Sequence, residues 1–122
     1  MKIFSGVDLI SNRRIERAYS RFGERFLNRI YLPSEVYYCK SKVEFINCLS
    51  ARFAGKEAFI KAFYKAFGEV LSFRDIEIVG KSGRPAEVIL HHRKEILNNC
   101  QIDISLSHER EFSLAYALII LM

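Results

Sequence analysis

The start of the chain reads with a period of two. Residues 2–10 read as a strand, with Ile3, Ser5, Val7 and Leu9 on one face and Phe4, Gly6, Asp8 and Ile10 on the other. Asp8 thereby shares a face with Phe4 and Ile10, where a carboxylate needs a partner, a hydrogen-bond cage or a metal. The period then changes. A helix is expected from Ser11 or Asn12, both good caps, to about Gly23, and Pro33, Ser34 and Glu35 open a short one with Ser34 as cap. Residues 43–66 form the strongest helical segment, free of proline, with Phe45, Leu49, Phe53, Ile60 and Phe63 as its apolar stripe. Residues 71–79 alternate as a strand, 80–83 make a turn, 85–90 a second strand and 91–100 a short helix. Residues 101–107 and 111–121 read as a closing pair of strands joined at His108, Glu109 and Arg110. These elements predict an α+β fold, an antiparallel β-sheet packed on one long helix.

At 122 residues, half of them hydrophobic and 27% charged, the chain is expected to form one globular domain, residues 1–122. Its longest apolar run, 114–122, has nine residues, well short of the ~20 that span a bilayer. A soluble protein without a membrane partner is expected. Three cysteines (Cys39, Cys48, Cys100) cannot all pair within one chain, and their spacing, with only His91, His92 and His108 beside them, does not suit zinc. Reduced thiols and a cytoplasmic location follow as expectations.

The net charge of +5 changes this picture because it is localised. Between positions 12 and 29, six arginines (13, 14, 17, 21, 25, 29) face two glutamates, giving +4 of the +5. Arg13, Arg17, Arg21 and Arg25 are four apart and would form one stripe on a helix, at a cost of a few tenths of a kcal/mol per like-charged pair. The exclusive use of arginine suits planar recognition of carboxylate or phosphate.

Several constellations invite chemistry. Gly80, Lys81 and Ser82 do not make a nucleotide P-loop: Asp75 stands where its first glycine belongs, and a strand follows instead of a helix. Ser107 and His108 are strand neighbours pointing to opposite faces, which is no nucleophile–base pair. Residues 52–62 are richer. Glu57 and Lys61 are i,i+4 neighbours, an ordinary helix salt bridge on its own, but the small Ala54, Gly55 and Ala58 allow a backbone or ligand to approach closely. If Asp8 and Glu57 converge, they suit Mg²⁺, which takes one or two carboxylates and completes its shell with water and substrate phosphates.

Taken in order, these residues resemble the holo-acyl-carrier-protein synthase family, the small 4'-phosphopantetheinyl transferases. The opening Gly6-Val7-Asp8-Leu9-Ile10 with Arg14-Ile15-Glu16 resembles its first motif, and the run from Arg52 to Ala62 its central helix. Residues 72–78, Gly83-Arg84-Pro85, residues 104–109 and Leu114-Ala115-Tyr116 follow at similar intervals, so the likeness runs end to end.

The resemblance implies transfer of phosphopantetheine from coenzyme A to a serine of acyl carrier protein, as fatty acid biosynthesis requires, with release of adenosine 3',5'-bisphosphate. It implies a homotrimer with active sites between protomers. By the same likeness Asp8 and Glu57 hold Mg²⁺ against the pyrophosphate, Lys61 lies on the same phosphates, and His108 reaches them from the neighbouring subunit. Arg52 and Gly83-Arg84-Pro85 hold the adenosine end, while Arg14, Arg21 and Arg25 receive the acidic carrier.

Two departures stand out. Ser11 replaces an acidic residue, and Phe63-Tyr64-Lys65-Ala66-Phe67-Gly68 replaces a Gly-Thr-Gly stretch, which predicts a longer helix. The competing readings are a non-catalytic basic module for nucleic acid or an acidic protein, and a structural subunit. The first fits poorly, because the aromatics sit at core spacing and are not interleaved with cations as nucleic-acid stacking requires.

Overall fold

The opening alternation becomes β1 (Lys2–Ser11) in the computed structural model, which describes residues 1–80 and 83–122. Lys81 and Ser82, in the turn expected at 80–83, lie outside the described residues. Helix α1 (Asn12–Phe22) follows β1, anchored by Asn12, whose Nδ2 donates to the carbonyls of Glu109 (2.9 Å) and Arg110 (3.2 Å). Gly23 ends α1, and a second helix the sequence reading did not separate, α2 (Glu24–Ile30), begins at once. The expected arginine stripe is therefore split. Arg13, Arg17 and Arg21 ride on α1, and Arg25 and Arg29 on α2.

Helix α3 (Pro33–Lys40) starts with proline at its first position, and Ser34 is not its cap. The Glu35 side chain takes that part, with Oε1 accepting from the Leu32 N–H at 2.8 Å. The long helix α4 (Phe45–Phe67) ends at Gly68, which is in the left-handed conformation. Leu49 and Phe63 of the expected stripe are buried, while Phe45, Phe53 and Ile60 are half-buried; Ala54, Ala58, Phe59 and Ala62 are buried as well. The helix is enclosed on more than one face, which a single stripe does not convey.

The expected strand 71–79 is shortened to β2 (Ile76–Val79), because Asp75 Oδ2 accepts from the Ser72 N–H (2.8 Å) and winds Phe73–Asp75 into a 3-10 turn. β2 pairs antiparallel with β3 (Glu87–Leu90) as a separate ribbon. His91 and His92 follow β3 instead of riding on a helix, and Lys94–Asn99 is a 3-10 helix. The main sheet has β5 (Phe112–Leu121) at its centre, antiparallel to β1 on one side and to β4 (Cys100–His108) on the other. Asp8 is in register with Ala115, which is in register with Leu106.

Alternation divides this sheet cleanly. Ser113, Ala115, Ala117 and Ile119 are buried beneath α4, and Gly6 and Ile10 of β1 share that face. A Cβ at Gly6 would overlap the Ala58 carbonyl oxygen, so only glycine lets β1 come this close to α4. The opposite face carries Ile3, Val7, Leu9, Leu114 and Tyr116, which are 42–63% exposed.

The layers meet at a buried ion pair. Lys56 Nζ lies 2.6 Å from Glu35 Oε1 and also donates to the carbonyls of Ile30 (2.8 Å) and Phe73 (3.1 Å). Glu35 Oε2 accepts from the Ile78 N–H at 2.9 Å. Burial lowers the Lys56 pKa, and the Glu35 carboxylate opposes that shift. Lys56→Ala or Glu35→Ala should lower unfolding free energy by about 3–5 kcal/mol, the cost of stranding one buried charge. Replacing both by apolar residues rescues many buried pairs. Here Lys56→Met with Glu35→Leu should remain clearly destabilised in urea unfolding, since the carbonyls of Ile30 and Phe73 and the amides of Leu32 and Ile78 would all lose partners.

Candidate active site

The candidate residues fall into two groups. In the first, β1 presents Asp8 toward α4, and α4 presents Glu57 and Lys61 toward β1. Lys61 Nζ lies 3.2 Å from Asp8 Oδ1 and donates to the Val7 carbonyl at 3.0 Å. Among the described residues the Lys61 ion pair is with Asp8 and not the expected i,i+4 partner Glu57. One turn later, Lys65 donates to the Ser5 carbonyl at 2.8 Å. Both lysines thus cap carbonyls along β1, which is an edge strand.

Glu57 feels the crowding. Its pKa is raised, first by burial and then by the negative charge of Asp8, with Lys61 pulling the other way. Two carboxylates repelling each other in a half-buried site make a donor set for a hard cation. No third histidine, cysteine or carboxylate joins them in a metal-sized cluster among the described residues. Asp8 and Glu57 thus fit Mg²⁺, which completes its octahedron with water and phosphate oxygens, better than zinc or calcium, which need fuller protein cages.

The second group lines a cleft of about 690 Å³. Arg52, Arg84, Pro85 and His108 are on its walls with Tyr38, Lys42 and Glu44. Gly83 adjoins this turn but is not part of the lining. Arg52 is buried, its Nη1 donates to Cys48 Sγ at 3.3 Å, and Nε has no partner among the described residues. Burial lowers its pKa, opposed by Tyr38 and Glu35, yet a guanidinium stays protonated in any such site.

The two groups do not merge within one chain. Arg52 and Glu57 are five residues apart on α4, about 140° around its axis. Asp8 belongs to β1 and His108 to β4, the two opposite edges of the three-stranded sheet. Arg14, Arg21 and Arg25 form no part of either group. They stand exposed on α1 and α2.

Sequence reasoning missed two features here. Cys39 and Cys48 are joined as a disulfide, correcting the expectation of three reduced thiols; the turn from α3 into α4 brings their Cα atoms to 5.4 Å, and Cys100 stays free. Three cysteines cannot all pair, but two of them can, and a separation of nine residues across a helical hairpin is a readable signal. The other is Lys56, whose neighbours Ala54, Gly55, Ala58 and Phe59 marked an apolar setting for a lysine.

Comparison with known proteins bears on these groups. Residues 5–117 match the family model of the 4'-phosphopantetheinyl transferase superfamily. The chain is 49% identical over 116 residues to a holo-[acyl-carrier-protein] synthase of Aquifex aeolicus, covering 93% of this chain and 95% of that relative. Its fold resembles the Chronobacterium ammoniagenes ACPS-CoA complex, with a TM-score of 0.85 at 24% identity over 100% of this chain and 99% of that one. It also resembles the Helicobacter pylori holo-[acyl-carrier-protein] synthase in complex with coenzyme A, with a TM-score of 0.75 at 31% identity over 97% and 99% of the two chains. A carboxylate pair, a cationic cleft and a likeness spanning nearly every residue agree: the chain belongs to the 4'-phosphopantetheinyl transferase superfamily.

Proposed function

We propose that this protein transfers the 4'-phosphopantetheine group of coenzyme A to a serine of apo acyl carrier protein, releasing adenosine 3',5'-bisphosphate. The observation that carries the reading is the Asp8–Glu57–Lys61 group on the β1 edge together with a separate cationic cleft, in a chain 49% identical to a holo-[acyl-carrier-protein] synthase. Arg52 and Arg84, with the turn through Gly83 and Pro85, hold the phosphorylated adenosine end. Lys61 exchanges Asp8 for the pyrophosphate oxygens, a short movement since its ammonium already lies over β1. The carrier serine oxygen forms the new bond to phosphorus as the bond to the bisphosphate breaks. Asp8 and Glu57 would hold Mg²⁺, which when bound would neutralise charge on the pyrophosphate. Incubation with coenzyme A, Mg²⁺ and apo acyl carrier protein, followed by intact mass of the carrier, tests the reading. No gain of a phosphopantetheine group would refute it.

The acting form is a homotrimer with shared sites. Two observations support it. The apolar outer face of the sheet, with Val7 opposite Tyr116 and Leu9 opposite Leu114, stays uncovered even though β5 is the central strand. The carboxylate group and the cleft also occupy opposite sheet edges, so a site that needs both would be completed by the β1 edge of one chain meeting the β4 edge of the next in a closed ring.

Three outcomes follow from these assignments. Chelation of Mg²⁺, or Asp8→Ala, should nearly abolish transfer with the fold retained by circular dichroism. The pH dependence is set by Glu57. A carboxyl with a raised folded pKa costs the native state nothing below its unfolded value, and the cost is complete once pH exceeds the folded value. Metal-free Glu57→Gln should accordingly melt higher than wild type at neutral pH, and wild-type Mg²⁺ affinity, read by calorimetry, should fall on acidification at a pH above the ordinary glutamate range.

Charge reversal at Arg14 or Arg21 should raise KM for the carrier much more than KM for coenzyme A, with salt acting in the same direction. Equal effects on both substrates would remove these residues from the carrier surface.

Mixing Glu57→Ala chains with His108→Ala chains should restore part of the activity once subunits exchange, because some interfaces then hold both residues intact. Demonstrated exchange without recovery would place the two residues in one protomer's site.

A further inference from the structure

Arg52 is the most enclosed cation of the cleft, and what encloses it is unusual. The Tyr38 ring centroid lies 4.4 Å from the Arg52 guanidinium carbon and 4.9 Å from Lys42 Nζ, so one aromatic ring draws two cations together. A side chain on Gly80 would begin 3.0 Å from Arg52 Nη2, which bounds the guanidinium on another side. Nη1 rests on Cys48 Sγ, and Nε has no partner among the described residues. Cys48 precedes Arg52 by one helical turn, and Cys39 directly follows Tyr38. The Cys39–Cys48 bond therefore ties the neighbour of Tyr38 to the neighbour of Arg52.

We propose that Tyr38 and the Cys39–Cys48 disulfide are positioning groups for Arg52, together holding its guanidinium so that its free edge meets a phosphate in the cleft. This rests on reading the cleft as the site of the phosphorylated adenosine end. The physical reason is twofold. A long side chain held in one geometry loses less entropy when it binds. A phosphate arriving between Lys42 and Arg52 also relieves the repulsion of two cations gathered on one ring. Two anchors are needed because the ring holds the plane of the guanidinium and the sulfur fixes its end.

The test uses titration calorimetry with adenosine 3',5'-bisphosphate on the oxidised protein. Arg52→Gln and Tyr38→Leu should each weaken binding about tenfold, the order expected for a partly desolvated cation–π contact. Tyr38→Phe keeps the ring but loses the hydroxyl that also favours the charged guanidinium, and should weaken binding less than Tyr38→Leu. In the Arg52→Gln background, Tyr38→Leu should cost clearly less than it does alone, since only its hold on Lys42 is then left. In steady state Tyr38→Leu should raise KM for coenzyme A and leave kcat unchanged.

Reduction provides a second perturbation that needs no substitution. Dithiothreitol gives up two electrons and two protons and closes to its cyclic disulfide, leaving Cys39 and Cys48 as thiols. Reduced wild type should bind the bisphosphate more weakly, whereas reduced and oxidised Arg52→Gln should bind alike. Additive losses in the double variant, or a wild-type affinity unmoved by reduction while two thiols are titrated, would overturn the positioning role. If Arg52→Gln itself binds like wild type, the reading of the cleft fails instead, so the two failures are distinguishable.

Discussion

The fold depends on burying one ammonium and one carboxylate together. Lys56 and Glu35 lie at the meeting point of α2, α3, α4 and β2, and between them they satisfy main-chain groups from four separate segments. A hydrophobic contact in the same place would have no direction. The ion pair does, and it fixes how the helical layer sits over the β2–β3 ribbon. Tyr31 closes the arrangement: its hydroxyl donates to the Leu49 carbonyl (2.8 Å), its ring lies 5.7 Å from Lys56 Nζ, and burial beside Glu35 raises its pKa well above the ordinary value. With α4 held there, the near contact of Gly6 with Ala58 sets the distance from β1 to the helix, and hence from Asp8 to Glu57.

That chain of constraints explains why two like charges can face each other at the β1 edge. Their backbones cannot move apart without moving a strand or a helix that is pinned elsewhere. The repulsion is maintained by the scaffold, with Lys61 as a partial counterweight. A cation bound there as proposed would find its donors already in place, with little reorganisation left to cost.

Much of this was legible in the sequence, and the reasons are particular. The strand period over residues 2–10 separates the two faces of β1, and Asp8 falls on the helix side as its parity requires. The long α4 followed from its apolar repeats and lack of proline, including its extension past Ala62 where glycines are absent. What escaped notice depends on contacts between distant segments. Whether Lys61 pairs with Glu57 or with Asp8 is decided by the approach of β1, which helix periodicity does not contain. Nor does local pattern reveal that Glu35, read only as part of a helix start, reaches across to β2. The break at Gly23 was visible as a stop, but the immediate restart as α2 was not, because Glu24–Ile30 is too short to show a clear period.

The exposed cationic face on α1 and α2 contains six arginines and no lysine between positions 12 and 29. Acylation neutralises the amines of lysine side chains. A lysine face would slowly lose its charge and with it its attraction for an acidic partner. Guanidinium groups are not nucleophilic at any physiological pH, so this surface keeps its charge throughout the protein's lifetime. The choice of cation is thus also a choice of resistance to chemical ageing.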